Sequence, residues 1–449
     1  MKVLLVSANH WQSPYPVYPL GLDYVAGALE PDHRVRVADI NALGGAAGLL
    51  AAAADFGPDL VGLSLRNIDS TDASDPRGLL DECRQVAAAL RRASDAPVVV
   101  GGSGFTIFPE ALMELLGADY GIVGEGERLA GLVAALEQGR NPGGLPGVVL
   151  PGRPCALPPP LEGEPRRHIA PEGAAIDFYL RRGGMLNLQT KRGCPYHCIY
   201  CTYPRIEGRG LRRFDPHTVA AEARELQERG ARFLFVTDSV FNADPHHSLA
   251  VAAAMARGGL TIPWGAFFAP TAPAPGYYRQ LARAGLTHVE FGSEALSDPV
   301  LSAYGKPFRV EDVRAAHAAA LEAGLQVAHY LLLGGPGETD ATLAETLSNI
   351  DKLERTVVFF FCGMRVYPHT ALFAHALSSG QIPRSGNLLD PVFFRPPGLA
   401  SEDIIRRVEA VADGRVNWVI GGGGDHVAQI LGRLHARGFS GPLWELLIR

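Results

Sequence analysis

The stretch "KRGCPYHCIYCTYP", residues 191–204, brings Cys194, Cys198 and Cys201 together, half of the chain's six cysteines. Thiolates are soft ligands, and only zinc or iron–sulfur normally recruits several of them. A structural zinc is closed by four ligands. His197 adjoins Cys198, where simultaneous ligation is awkward, and His217 stands at no recognisable spacing. On spacing alone the trio divides between zinc, iron–sulfur and no metal. An iron–sulfur cube on three cysteines would differ in leaving one iron open to a substrate or cofactor. Cys83 and Cys362 fall in helix- and strand-like segments and Cys155 in a proline-rich one. These three read as bystanders, and six cysteines in 449 residues do not describe a disulfide framework.

The elements that must carry the trio alternate. Over residues 1–140 five strand-like runs, "KVLLVSA", "RVRVADI", "DLVGLSL", "APVVVGG" and "YGIVGEG", are each followed by a helical pattern. Such alternation predicts a Rossmann-like, doubly wound parallel sheet. Residues 141–184 open with eight prolines in "NPGGLPGVVLPGRPCALPPPLEGEP", which disfavours regular ladders and predicts a linker. Six further βα units follow over 185–385, beginning with "MLNLQT" immediately before the cysteines. Consecutive units of this kind predict a partial (β/α)6 barrel whose working face is the strand carboxyl ends. Residues 386–449 read as a small, mostly helical C-terminal cap. The overall class is α/β.

The net charge of −6, from 41 basic and 47 acidic residues, argues against a nucleic-acid partner or an anionic-membrane surface. No apolar run approaches a membrane span, and "MKVLLVSANHWQS" reads as a first strand and not as a signal peptide. A soluble, cytoplasmic protein is expected.

Beyond the trio, the motifs resemble those of the radical S-adenosylmethionine enzymes, in order along about 190 residues. C-x3-C-x2-C ends the first barrel strand, with Tyr200 before the last cysteine. "FVTDSVFN" (235–242), "FGSEALSDPVLSAYGKPFRVEDV" (291–313), "YLLLGGPGETDATLAET" (330–346) and "GMRVYPHTALF" (363–373) then match the second, fourth, fifth and sixth strand ends of that family. The resemblance implies that Cys194, Cys198 and Cys201 hold a 4Fe–4S cluster whose open iron chelates S-adenosylmethionine. It further implies that Thr237, Asp238 and Ser239 accept from the methionine ammonium. Ser293 would donate to the carboxylate with help from Arg309, Glu294 would reach the ribose, and the Gly334–Gly335 backbone would lie along the adenine. Plainer readings stand beside these. Asp238, Ser239, Ser293 and Glu294 are candidate helix caps, and Gly334, Gly335 and Gly337 are candidate turn glycines. Arg365 and Tyr367 read either as functional or as a buried pair, and His288 and His329 as structural.

A Rossmann-like domain ahead of such a barrel resembles the cobalamin-dependent branch of that family. The loop after strand one lacks G-x-G-x-x-G, which disfavours a dinucleotide. The implied cobalamin site lies after strands three to five: Ser64, Gly101, Gly102, Ser103, Gly104 and Gly124 would let backbone approach the macrocycle. Asn67, Glu125 and Glu127 would meet its amide-bearing rim. The cobalt-ligating D-x-H-x-x-G is absent from residues 1–140, and "DPHHSL" (244–249) lacks its glycine. His10 is the one loop histidine that could approach the corrin. The resemblance implies methylation of an unactivated carbon of a small molecule, and "GMRVYP" is similar to members acting on lipids and secondary metabolites. A flavodoxin- or ferredoxin-type electron donor and a monomer are implied as well. The alternatives are a radical cyclase or rearrangement enzyme and a non-catalytic zinc or corrinoid-binding protein.

Overall fold

Valine- and leucine-rich runs build the first sheet of the computed structural model, which describes residues 1–12, 14–169, 174–384 and 386–448. The segment ends expected at 385 and 449, and residues 170–173 of the expected linker, lie outside the described residues. Strands β1 (Lys2–Ser7), β2 (Arg34–Asp39), β3 (Leu60–Ser64), β4 (Val98–Gly101) and β5 (Tyr120–Ile122) are parallel, in the order β2-β1-β3-β4-β5. Alternate residues go to opposite faces. Val3 and Leu5 pack on Leu22, Leu132 and Val133, while Leu4 and Val6 belong to the core with Phe56, Leu90 and Leu112. Both faces are covered, as a parallel sheet requires. Strand β6 (Val148–Val149) adds an antiparallel edge beside β5. The expectation that prolines keep 141–184 free of ladders is therefore corrected. The two residues of β6 lie between Pro146 and Pro151, and the helix Ala174–Arg181 lies beyond the last proline of the cluster.

The second sheet starts with β7 (Met185–Leu188). A short hairpin of β8 (Lys191–Arg192) and β9 (Arg212–Arg213) carries the cysteine loop. Strands β10 (Phe233–Val236), β11 (Trp264–Phe268), β12 (Leu286–Glu294), β13 (Gln326–Leu333) and β14 (Thr356–Cys362) follow. The pair β15 (Met364–Arg365) and β16 (Phe393–Phe394) precedes β17 (Trp418–Ile420). The order β7-β10-β11-β12-β13-β14-β17 is parallel throughout, a partial barrel of seven strands and not six. The seventh comes from the segment expected to be a mostly helical cap. "WVI" is too short to show a period, and it becomes a strand by pairing with Val358, Phe359 and Phe360.

Outward residues such as Leu234, Phe268, Val289 and Phe291 pack on the surrounding helices. Alternate residues, among them Phe235, Phe267 and Tyr330, meet one another across the concave side. Asp215 and Asp244 cap the helices Pro216–Glu228 and Pro245–Arg257 through two backbone amides each. "DPHHSL" is thus a helix start. No helix among the described residues is long and apolar enough to cross a membrane.

The two sheets meet through their carboxyl ends. After β3, Ala73 N donates to Cys362 O at 3.2 Å, and Asp69 pairs with Arg365 at 3.0 Å. Thr106 O, beyond β4, accepts from Arg205 at 3.3 Å. Glu125, after β5, accepts from Arg192 at 2.8 Å.

Candidate active site

The cysteine loop is held from below and from both sides. Thr190 and Lys191 turn the chain out of β7, and four donors there converge on Asp238. Its Oδ1 accepts from Thr190 N at 2.7 Å and Lys191 N at 3.3 Å. Its Oδ2 accepts from Thr190 Oγ1 at 2.6 Å and Lys191 Nζ at 2.5 Å. Gly193 follows at φ 89°, and a Cβ there would lie 2.1 Å from Gly210 O. Its amide donates to Glu207 and its carbonyl accepts from Ser239 Oγ at 3.2 Å. Cys194 is buried, Cys198 and Cys201 are half-buried, and all three thiols are free.

Lys306 reaches into this loop. Its Nζ lies 2.9 Å from Glu294 Oε1, 3.0 Å from Tyr200 OH and 3.6 Å from Cys198 Sγ. Burial works against the ammonium, yet Glu294 and the Cys198 and Cys201 sulfurs outweigh it and raise its pKa. Burial also raises the Cys198 thiol, only partly offset by Lys306, and pushes Cys201 up to about 12. Three thiols crowded on one loop, two of them where a thiolate is costly, fit a group that brings its own positive charge. Among the described residues no three His, Cys, Asp or Glu side chains close on a single ion; a cube engages each cysteine through a different iron. Glu294 adopts φ 62° where the β12–β13 register shifts between Gly292 and Glu294, a strained conformation of the kind found at functional sites.

Several expected S-adenosylmethionine contacts are engaged elsewhere. Asp238 is neither free for an ammonium nor a helix cap, because Asp244 caps the next helix; its carboxylate braces the β7 end. Thr237 Oγ1 donates to Leu188 O. Ser293 shares its parity with Phe291, facing the helical layer, and its hydroxyl is 2.7 Å from His329 Nδ1. His329 in turn meets His317 at 3.0 Å. Burial lowers the pKa of both histidines, so both are neutral. Arg309 is exposed at the start of helix Val310–Glu322; Lys306, three residues earlier, is a cation at the cysteine loop. Arg365 is an inter-domain tie, bound to Asp69 and to Leu388 O at 2.7 Å, with Tyr367 against its guanidinium. Tyr200, Glu294, Gly334 and Gly335 do gather near the loop. Gly335 N donates to Tyr304 OH at 3.0 Å, and the Tyr304 ring meets Tyr200 edge-on. Glu338 accepts from Gly334 N and Tyr304 OH, its other oxygen has no partner, and burial raises its pKa to about 7.

On the first domain, Ser64, Gly101 and Gly124 stand at or just past three adjacent strand ends, and Asn67 is exposed in the loop after β3. A rim of small residues with an exposed amide, at the carboxyl edge of an open sheet, fits a flat, amide-bearing corrin. Gly102 and Gly104 have another task. A Cβ at Gly102 would lie 2.5 Å from Leu65 O, and Gly104 N donates to that same oxygen. Ser103 Oγ donates to Arg66 O. Glu125 and Glu127 do not face a ligand rim: Arg192 lies 2.8 Å from Glu125 and 2.7 Å from Glu127, and Arg212 is 2.6 Å from Glu125. His10 is engaged by Glu82. Lys306 and Arg192 lie outside the expected set although both stand in quoted motifs, "AYGKP" and "KRGC".

Residues 188–350 match the radical SAM superfamily model and residues 11–133 the B12 binding domain model. A tryptophan 2-C-methyltransferase of Streptomyces laurentii is 28% identical over 386 residues, covering 70% of this chain. The chain spans 64% of that relative's length. A methyltransferase of Pyrococcus horikoshii is 26% identical, with 83% of this chain and 82% of the relative covered. The solved radical S-adenosylmethionine methyltransferase TsrM of Kitasatospora setae, with tryptophan and a SAM analogue bound, superposes at a TM-score of 0.87. It is 25% identical, covering 99% of this chain and 97% of that one. Its form with cobalamin and a [4Fe-4S] cluster gives 0.86.

Proposed function

The chain belongs to the cobalamin-dependent radical S-adenosylmethionine methyltransferase family, and we propose that it methylates an unactivated carbon of a small molecule. Its cofactors are a 4Fe–4S cluster, S-adenosylmethionine and cobalamin. The observation that supports the reading is the meeting of two carboxyl edges, which brings the hairpin of the cysteine loop and the loops after β3–β5 together. When bound, the cluster with S-adenosylmethionine supplies a carbon-centred radical and cobalamin supplies a methyl carrier. The chain's own residues position these groups. Cys194, Cys198 and Cys201 would hold the cluster, and Lys306 offsets the negative charge beside them. Gly334 and Gly335 offer backbone close to the loop for adenosine, and Ser64, Gly101, Asn67 and Gly124 would receive the corrin. Asp238, Arg192 and Ser239 fix the loop. No side chain is assigned as an acid or base.

Tryptophan, named for the Streptomyces relative, supports a substrate of small-molecule size; secondary metabolites and lipids are the classes to search first. A cytoplasmic monomer served by a flavodoxin- or ferredoxin-type electron donor completes the proposal. The test is product counting under anaerobic reduction. Methyl transfer expects S-adenosylhomocysteine to rise with methylated product. A cyclase or rearrangement enzyme would give 5′-deoxyadenosine and methionine without S-adenosylhomocysteine, and that result would overturn the reading. A non-catalytic carrier would give none of the three.

A further inference from the structure

We propose that the concave side of the second sheet is a substrate chamber for a cationic amine carried on a flat aromatic or apolar framework. The inference rests on the methyl-transfer reading and deepens it by naming the substrate class.

The walls are aromatic and incompletely covered. Phe267 lies in β11, flanked on both sides by β10 and β12, yet is 39% exposed. A large apolar side chain in an interior strand is normally buried, so exposure here marks space inside the sheet's curve. Its ring meets Phe235 at 4.9 Å and Tyr330 at 6.2 Å. Tyr330 stacks on Phe359 at 4.8 Å and 16° and lies near-parallel to Phe361 at 6.3 Å. Rings from β10, β11, β13 and β14 thus line one concave face, with Tyr330 and Phe359 packed against the cluster of Trp444 and Phe267 left open.

The chamber wall also carries buried carboxyl oxygens. Glu290 on β12 is 1% exposed. It accepts from Tyr330 OH at 2.8 Å and from Trp444 Nε1 at 2.9 Å, both neutral donors. The charged or titratable side chains beside it are Glu445, His288 and Tyr15. His288 Nε2 lies 3.2 Å from Glu445, and the phenol of Tyr15, from the loop after β1, is influenced by both glutamates. Among the described residues no lysine or arginine pairs with Glu290 or Glu445. Two carboxylates face one imidazole in a desolvated place, an arrangement that repels an anion and leaves a cation unsupplied. Burial raises the Glu290 pKa, as expected of a carboxylate short of positive neighbours. Aromatic faces beside an acid suit an ammonium group in particular. Glu290 lies four residues before the strand end at Glu294, about 13 Å at the rise of a strand. That depth separates the chamber from the cysteine loop.

The test uses the full chain reconstituted with cluster and cobalamin, and measures binding by calorimetry without turnover. The probes are 2-(2-naphthyl)ethylamine and the alcohol and carboxylate on the same framework. The amine should bind about tenfold or more tightly than the alcohol, the size of one charge-assisted hydrogen bond. Glu290→Gln should erase that difference, and Phe267→Ala, a change at a ring 39% exposed, should weaken amine and alcohol alike. Equal affinities, a preference for the carboxylate, absence of amine binding at millimolar concentration, or competition by S-adenosylmethionine would each overturn the proposal. Amine-selective binding with no S-adenosylhomocysteine formed from any substrate would support the chamber and sink methyl transfer instead.

Discussion

Arg192 joins the two domains two residues before the first cysteine, and removing it should weaken both the interface and the cluster site. Its side chain is 9% exposed, with Glu125 at 2.8 Å, Glu127 at 2.7 Å and the Tyr24 ring 4.9 Å from the guanidinium carbon. Losing one partner of a buried pair costs about 3–5 kcal/mol, because the other charge is left unpaired. Glu125 would keep Arg212 and the Leu161 amide, which is 2.5 Å away, so Arg192→Met should cost less, about 2–4 kcal/mol. Glu127 has Arg192 as its one ion-pair partner among the described residues. A cycle of Arg192→Met and Glu127→Gln should therefore show a coupling of about 1–2 kcal/mol. Urea unfolding of the full chain, followed by far-ultraviolet circular dichroism and by tryptophan fluorescence, is the assay. The two probes should separate in Arg192→Met as the domains uncouple, and iron content after reconstitution should fall. The pH sign is fixed by Glu125. Burial opposes its charge, but Arg212, the Leu161 amide and Arg192 outweigh this and hold its pKa below the ordinary 4.5. The stabilisation is therefore present above about pH 4.5 and is lost as pH falls through the lower folded value. A coupling within about 0.3 kcal/mol of zero, with normal iron content in Arg192→Met, would refute the clamp.

Alanine at any one of Cys194, Cys198 or Cys201 should abolish cluster absorbance and S-adenosylmethionine cleavage; full cleavage by one such variant removes that cysteine from the ligand set. Asp238→Ala strands the Lys191 ammonium, which is 1% exposed. It should cost about 3–5 kcal/mol of stability in urea, whereas intact stability with weakened S-adenosylmethionine affinity would restore the ammonium contact. Glu338 carries a folded pKa of about 7 against an ordinary 4.5. Between those values the folded chain holds a proton that the unfolded chain has released. Stability should fall as pH rises through that window, by roughly 3 kcal/mol in all. Glu338→Gln should flatten the profile of Tm against pH, and parallel profiles for the two proteins would dismiss the effect.

What sequence reveals about this molecule depends on whether the information is local. Alternating strands and helices are legible because each apolar run must find a covering helix, and the cysteine trio because ligands on one loop are counted along the chain. Charge partners are not local. Glu125 and Glu127 stand among small residues at a strand's carboxyl end, which reads as a ligand rim; only the folded chain brings Arg192 to them. Asp238 likewise reads as a contact for an ammonium group, and it does meet one, that of Lys191. Ser293 is a different case. Strand parity puts it with Phe291 and Val289 and puts Glu294 with Glu290, so its row was written in the sequence. Which row faces the hollow was not, since in the neighbouring strands both rows carry large side chains, Phe267 beside Phe268 and Tyr330 beside Leu331. Phe267 shows why that ambiguity matters. In a strand buried on both sides, an inward phenylalanine and an outward one have the same pattern, and they separate only by what covers them. Phe268 lies against Phe241 and Tyr278, whereas Phe267 remains open and its row also carries Glu290 and Tyr330. The residues that would select a substrate are thus those whose packing the chain leaves incomplete, and incompleteness becomes visible only after the rest has folded.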